Sequence, residues 1–204
     1  MSLPFRTRRP TLALTFDDGP DPIWTPRALD ALGEAGAVAT FFVLSCRAAA
    51  HTEILERMVA EGHEIGLHGS RHLRHDEHSE EAIAADTEQA LALLDPHRPR
   101  LWRPPHGVVA DVTRMLADRH GLELVGWTAD SVDWQVDRAA ETMLAWLEPQ
   151  LVPGAIVLMH DAVGPGAPRA SPAPTVELLS PLITAIRRRG LEPALIPEPD
   201  PQAM

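Results

Sequence analysis

Apolar and polar positions alternate along this chain in two rhythms. Compact apolar runs occupy 11–16 (TLALTF), 38–44, 64–67, 101–102, 122–127, 155–159 and 191–196. They are short and bounded by turn residues, the signature of buried strands. Between them apolar residues return every three or four positions. That spacing predicts helices over 25–35, 51–61, 79–94, 111–120, 137–147 and 175–189, with glycine stops at Gly36, Gly62, Gly121 and Gly190. The 79–94 segment is the strongest, because Ser79 stands at a capping position and Ile83, Thr87, Leu91 and Leu94 share one face. Strand and helix alternate about seven times, which predicts an α/β fold with a mostly parallel sheet in a single domain. A closed barrel and an open sheet both fit this rhythm, and in either the chemistry gathers where strands end. The expected domain spans 11–196, with an N-terminal extension at 1–10, a Pro/Gly-rich loop at 162–174 and a proline-rich tail at 197–204.

Composition narrows the function classes. Hydrophobic residues make up 45% and charged residues 23% of 204 positions, as in an ordinary globular domain. No apolar run approaches the length of a bilayer crossing, so no membrane span is expected. Eighteen basic against 29 acidic residues leave a formal charge of −11, which argues against nucleic acid or anionic lipid as a partner. The apolar stretch Leu12 to Phe16 is too short for the core of a signal peptide, and the compartment stays open. The single cysteine, Cys46, has no internal disulfide partner and reads as a small core residue. Trp102, Trp127 and Trp146 read as core, Trp24 and Trp134 as rim residues. A monomer is expected.

Ionisable residues follow five of the predicted strands: Asp17 and Asp18, His68 and His72, Arg103, Asp130 and Asp133, and His160. His68 and His72 stand at i, i+4, so one helical turn would bring both imidazoles to one ion. The plainer reading is two solvated histidines in a stretch that also holds His75 and His78. A metal needs a third ligand, and the Asp17-Asp18 pair supplies an acidic one. Adjacent carboxylates repel, and on an extended strand their side chains point opposite ways, so different tasks are expected of them.

Five segments together resemble one family. Thr15-Phe16-Asp17-Asp18-Gly19-Pro20, His68 to His72, Leu101-Trp102-Arg103-Pro104-Pro105-His106-Gly107, Asp130-Ser131-Val132-Asp133-Trp134 and Leu158-Met159-His160 are similar, in order and spacing, to the five motifs of the polysaccharide deacetylases (the NodB-homology domain, carbohydrate esterase family 4). The resemblance runs from residue 11 to about 196 and implies a distorted (β/α)7-type barrel. It also implies a hydrolase that removes N-acetyl groups from N-acetylglucosamine-containing poly- or oligosaccharide. Asp18, His68 and His72 match the family's metal triad, with Zn2+ the expected cofactor. Asp17 matches the general base and Arg103 the residue that orients it. His160 matches the general acid and Asp133 its carboxylate partner. Trp134 and Leu158 match the apolar walls around the acetyl methyl, and a backbone N–H near His106 the oxyanion donor. The family most often has tyrosine at position 106, and this chain contains none. Deacetylation or deformylation of another amide or ester (acetylxylan, a formylated lipid-linked sugar) and a catalytically inactive sugar-binding homologue are the alternatives. The inactive form would lack Asp17 or His160, and both are present.

Overall fold

The computed structural model describes residues 10–136 and 138–198; most of the predicted tail and nearly all of the predicted extension lie outside them. In chain order the elements are β1 (Thr11–Asp17), α1 (Trp24–Glu34), β2 (Thr40–Val43), α2 (Ser45–Ala48), α3 (Thr52–Ala60), β3 (Glu64–Leu67), α4 (Glu80–Leu93), β4 (Leu101–Trp102), α5 (Asp111–His120), β5 (Glu123–Leu124), β6 (Ala129–Asp130), α6 (Ala140–Leu147), β7 (Ile156–His160), α7 (Ala173–Arg188) and β8 (Glu192–Ala194). Ser79 caps α4 as expected, its side chain accepting the Ala82 N–H. The first residue of the helix expected over 137–147, Asp137, lies outside the described residues.

The strands lie in the order β5-β4-β3-β2-β1-β7-β6, with β8 added beside β1, and their pairings are parallel. Successive residues of β1 face opposite ways. Leu12, Leu14 and Phe16 enter the large core shared with the helices, while Ala13 joins Phe42, Leu101, Val125 and Ile196 in a smaller second cluster. Thr15 and Asp17 continue the Ala13 side of the strand toward its C-terminal end.

Of the single strand expected over 122–127 only Glu123–Leu124 (β5) forms, and a separate strand that was not expected, β6 (Ala129–Asp130), follows it. β5 pairs with β4 at one edge of the sheet and β6 with β7 at the other. The backbone between them crosses the gap: Val125 N–H bonds Trp102 O at 2.9 Å and Thr128 N–H bonds Ile156 O at 3.0 Å. The sheet therefore curls into a distorted, incompletely closed barrel. Its seam is bridged by residues 125–128, with no ladder between β5 and β6 among the described residues. Arg103 braces this seam from within. Its guanidinium is fully buried, lies 4.2 Å over the Phe42 ring, and donates to Gly126 O at 2.9 Å. No helix among the described residues is long and apolar enough to cross a membrane.

Candidate active site

The C-terminal ends of the strands open on one cavity of about 440 Å³. Asp17, Asp18, His68, His72, His106, Asp130, Trp134, Leu158 and His160 all line it, together with Trp127 and the loop Gly164 to Pro168. Arg103 and Asp133, both buried, lie behind this lining.

Asp17 and Asp18 do not diverge as a continuous strand would require. Asp18 has a left-handed backbone (φ 76°), so the chain turns at the strand end and both carboxylates reach the cavity. Arg47 on α2 holds that turn, donating to Asp18 O and to Val163 O, each at 2.9 Å.

The helical turn expected for His68 and His72 is also absent. The two residues lie in an irregular loop after β3, bent by Gly69 (φ 91°) and by His72 (φ 61°), and their ring centroids come within 5.2 Å. Asp86, buried on α4, clamps the loop. Its carboxylate accepts the Ser70 N–H at 2.8 Å, the Arg71 N–H at 3.2 Å and the Arg71 Nε–H at 2.9 Å.

Asp18, His68 and His72 bring one donor atom each within 4.8 Å of one another. Asp18 Oδ1 lies 3.2 Å from His72 Nε2 and 3.5 Å from His68 Nε2, and it is buried without a hydrogen-bond partner. His68 Nδ1 sits 2.6 Å from Arg103 O. A carbonyl only accepts, so Nδ1 carries the proton and Nε2 turns a lone pair toward Asp18. Burial and neighbouring cationic groups push the His72 imidazole down to about 3, which keeps it neutral. Two imidazole nitrogens facing a buried carboxylate oxygen that has no hydrogen-bond partner are poorly satisfied by protein alone. The set of two nitrogens and one oxygen fits a divalent cation and leaves coordination positions open.

Asp17 is held beside this cluster. Its Oδ1 accepts from Arg103 Nη1 at 2.7 Å, while Oδ2 faces His68 Nε2 at 3.9 Å. Arg103 Nη1 also donates to Thr15 Oγ1 at 2.8 Å.

Across the cavity, His160 Nδ1 lies 2.7 Å from Asp133 Oδ1. Burial alone would lower the imidazole pKa, but the Asp133 carboxylate outweighs it and raises His160 to about 9. Burial works against the Asp133 charge too, yet His160, Arg169 and Thr175 together hold that carboxyl below its ordinary range. Next to His160, Asp161 is buried over Gly19 and bonded by Thr25, and burial raises its carboxyl to about 7. Asp130 accepts the Val132 N–H at 2.7 Å and is raised by burial.

His106 places its ring 4.6 Å from that of His72, on a left-handed backbone (φ 57°). The 162–174 loop is part of the wall, since a Cβ at Gly164 would overlap the Asp18 carboxylate. Two core expectations fail outright. Cys46 is exposed, because the chain turns into α2 directly after β2 and buries Ser45 and Ala48 instead. Trp146 is 56% exposed, its indole N–H covering Asp130 O on the edge strand β6. Trp127 is half-buried and faces the cavity. Sequence reasoning missed Arg47, Asp86, Arg169 and Thr175. The available signals were slight: an acidic residue beside the apolar face of α4, and a lone arginine in an otherwise uncharged loop.

Residues 6–125 match the family described as Polysaccharide deacetylase. The chain is 39% identical over 204 aligned positions to the chitooligosaccharide deacetylase of Bradyrhizobium sp. (strain ANU 289), covering 91% of this chain and 88% of that protein. It is 32% identical to a peptidoglycan-N-acetylglucosamine deacetylase of Bacillus cereus, covering 88% and 83%. The family 4 carbohydrate esterase from Streptomyces lividans, solved in complex with acetate, superposes with a TM-score of 0.82 at 25% identity, over 95% of each chain.

Proposed function

This chain belongs to the polysaccharide deacetylase family, and from that membership and the groove geometry we propose that it removes N-acetyl groups from N-acetylglucosamine units of a chitooligosaccharide or peptidoglycan-type glycan. It is a hydrolase of C–N bonds other than peptide bonds. We assign the activity to residues 11–196. We take the monomer as the acting unit.

Asp18, His68 and His72 would hold the divalent cation, zinc in this reading. When bound, the cation supplies Lewis acidity that acidifies water and polarises the acetamide carbonyl. Asp17, fixed through Oδ1 by Arg103, keeps Oδ2 free to take the proton of the attacking water. The backbone N–H at His106 is the protein donor for the developing oxyanion, a task indifferent to the loss of tyrosine at that position. Trp134 and Leu158 flank the acetyl methyl. His160, anchored through Nδ1, gives the Nε2 proton to the sugar nitrogen as the C–N bond breaks, releasing acetate and the free amine.

The observation that carries this reading is the facing arrangement of an unsatisfied Asp18-His68-His72 cluster and a proton-bearing His160 across one cavity. The test is acetate release from chitooligosaccharides by chelated and zinc-reconstituted protein. Release that vanishes on chelation and returns with zinc is expected. Stoichiometric zinc binding with no turnover on any acetylated sugar would overturn the reading in favour of a binding module.

A further inference from the structure

The segment after His160 runs along the groove wall before α7 begins, and Arg169 is the one charged residue between positions 162 and 174. Its side chain is only 5% exposed. Nη1 lies 3.1 Å from Asp133 O, 3.1 Å from Asp133 Oδ2 and 2.9 Å from Thr175 Oγ1. Nη2 donates to His160 O at 3.1 Å and to Ala162 O at 2.6 Å. Thr175 passes its own proton to Asp133 Oδ2 at 2.7 Å, and the His160 backbone N–H reaches the same oxygen at 2.9 Å. These contacts occupy Oδ2 and leave Oδ1 to the His160 ring. A buried guanidinium is costly unless paired and fully bonded, and stability alone is often served as well by an apolar residue. Here its partners are the carboxylate behind the catalytic imidazole and the carbonyl of that same histidine.

We propose that Arg169, relayed by Thr175, is a positioning residue for the acid: it fixes the Asp133 carboxylate, aims the His160 Nε2–H at the leaving nitrogen, and ties the Gly164 to Pro168 wall to the same frame. The inference rests on His160 serving as the acid of the proposed deacetylation. In that step the C–N electron pair goes to nitrogen, the His160 proton joins it, and the proton taken by Asp17 returns through solvent. An aryl ester with a good leaving group needs no such proton, so the two substrates separate acid positioning from general damage.

The experiment compares hydrolysis of an N-acetyl chitooligosaccharide and of 4-nitrophenyl acetate by zinc-loaded wild type, Arg169→Gln, Arg169→Lys and Thr175→Val, with zinc content and thermal melting measured on each. Arg169→Gln should lower kcat on the amide about 100-fold, within the range of a general acid, while changing the ester rate less than about threefold. Thr175→Val should act in the same direction more weakly, and Arg169→Lys should rescue part of the amide rate. Histidine 15N NMR supplies a readout independent of turnover: the His160 Nδ1–H resonance bonded to Asp133 should be lost or broadened in Arg169→Gln at unchanged zinc content. An unchanged amide rate, an equal loss on both substrates, or an intact Nδ1–H resonance would overturn the assignment. Should wild type release no acetate from the sugar, the deacetylase reading falls, and the NMR comparison still decides whether Arg169 positions His160.

Discussion

The two walls of the groove differ in how completely they satisfy themselves. On the β1 and β3 side, Asp18 Oδ1 is buried with no hydrogen-bond partner, and two imidazole nitrogens face it. On the β6 and β7 side, the Asp133 carboxylate receives four donors: His160 N, His160 Nδ1, Arg169 Nη1 and Thr175 Oγ1. The first wall leaves a buried carboxylate oxygen without a hydrogen bond, an arrangement that a divalent cation would complete. The second is closed, and its closure holds a charged imidazole in one orientation. In the proposed reaction, ligand capture and proton delivery thus call for opposite kinds of local structure within one cavity.

Breaking the first wall should have the largest effect. His68→Ala should lose bound zinc and turnover together, whereas Asp17→Asn should keep its zinc and lose about 10³-fold or more in kcat. Metal analysis beside acetate release separates the two, and near-normal turnover in Asp17→Asn would remove Asp17 as the base. Loosening that wall from behind should do less. Asp86→Asn weakens the clamp on the Ser70 and Arg71 amides, so zinc affinity should fall about 10- to 100-fold while kcat at full loading stays close to wild type. A competitive zinc titration reads this, and unchanged affinity would show that the loop holds itself.

The second wall is probed most gently by pH. The His160 pKa is raised to about 9, so the acid form persists below that pH and is lost above it. The rate should fall about tenfold per unit beyond the turn, and the alkaline limb should disappear with an activated ester. The same shift makes the His160–Asp133 pair fully stabilising below the ordinary value of 6.5, with that contribution lost as pH rises through about 9. A flat alkaline profile on the amide would show that the proton comes from elsewhere.

Much of this molecule was legible in its sequence. The short apolar runs place most strands, and the ionisable residues after them mark the rim, because strand ends are where an α/β fold exposes side chains. What escaped was set by backbone conformation and by long-range contacts. Nothing local announces that Asp18 and His72 adopt positive φ, so a strand and a helical turn were the natural readings of positions where the chain bends. The run at 122–127 is apolar enough for one strand, but only its first half stays beside β4, and from Thr128 onward the backbone bonds to β7 on the opposite side of the sheet. Arg169 gains its partners only when the loop folds back on Asp133, 36 residues earlier in the chain.

Arg103 joins the seam of the barrel to its chemistry. The guanidinium that donates to Gly126 O across the gap also holds Asp17 at 2.7 Å. If Asp17 is the base proposed above, drift at this position is doubly constrained: a change that retunes the reaction also loosens the scaffold, and a compensating change elsewhere must repair both. Diversification within this architecture should run through the surrounding loops, with this arginine as a pleiotropic fixed point. An inactive Arg103 variant identifies a chemical role only after its foldedness has been measured.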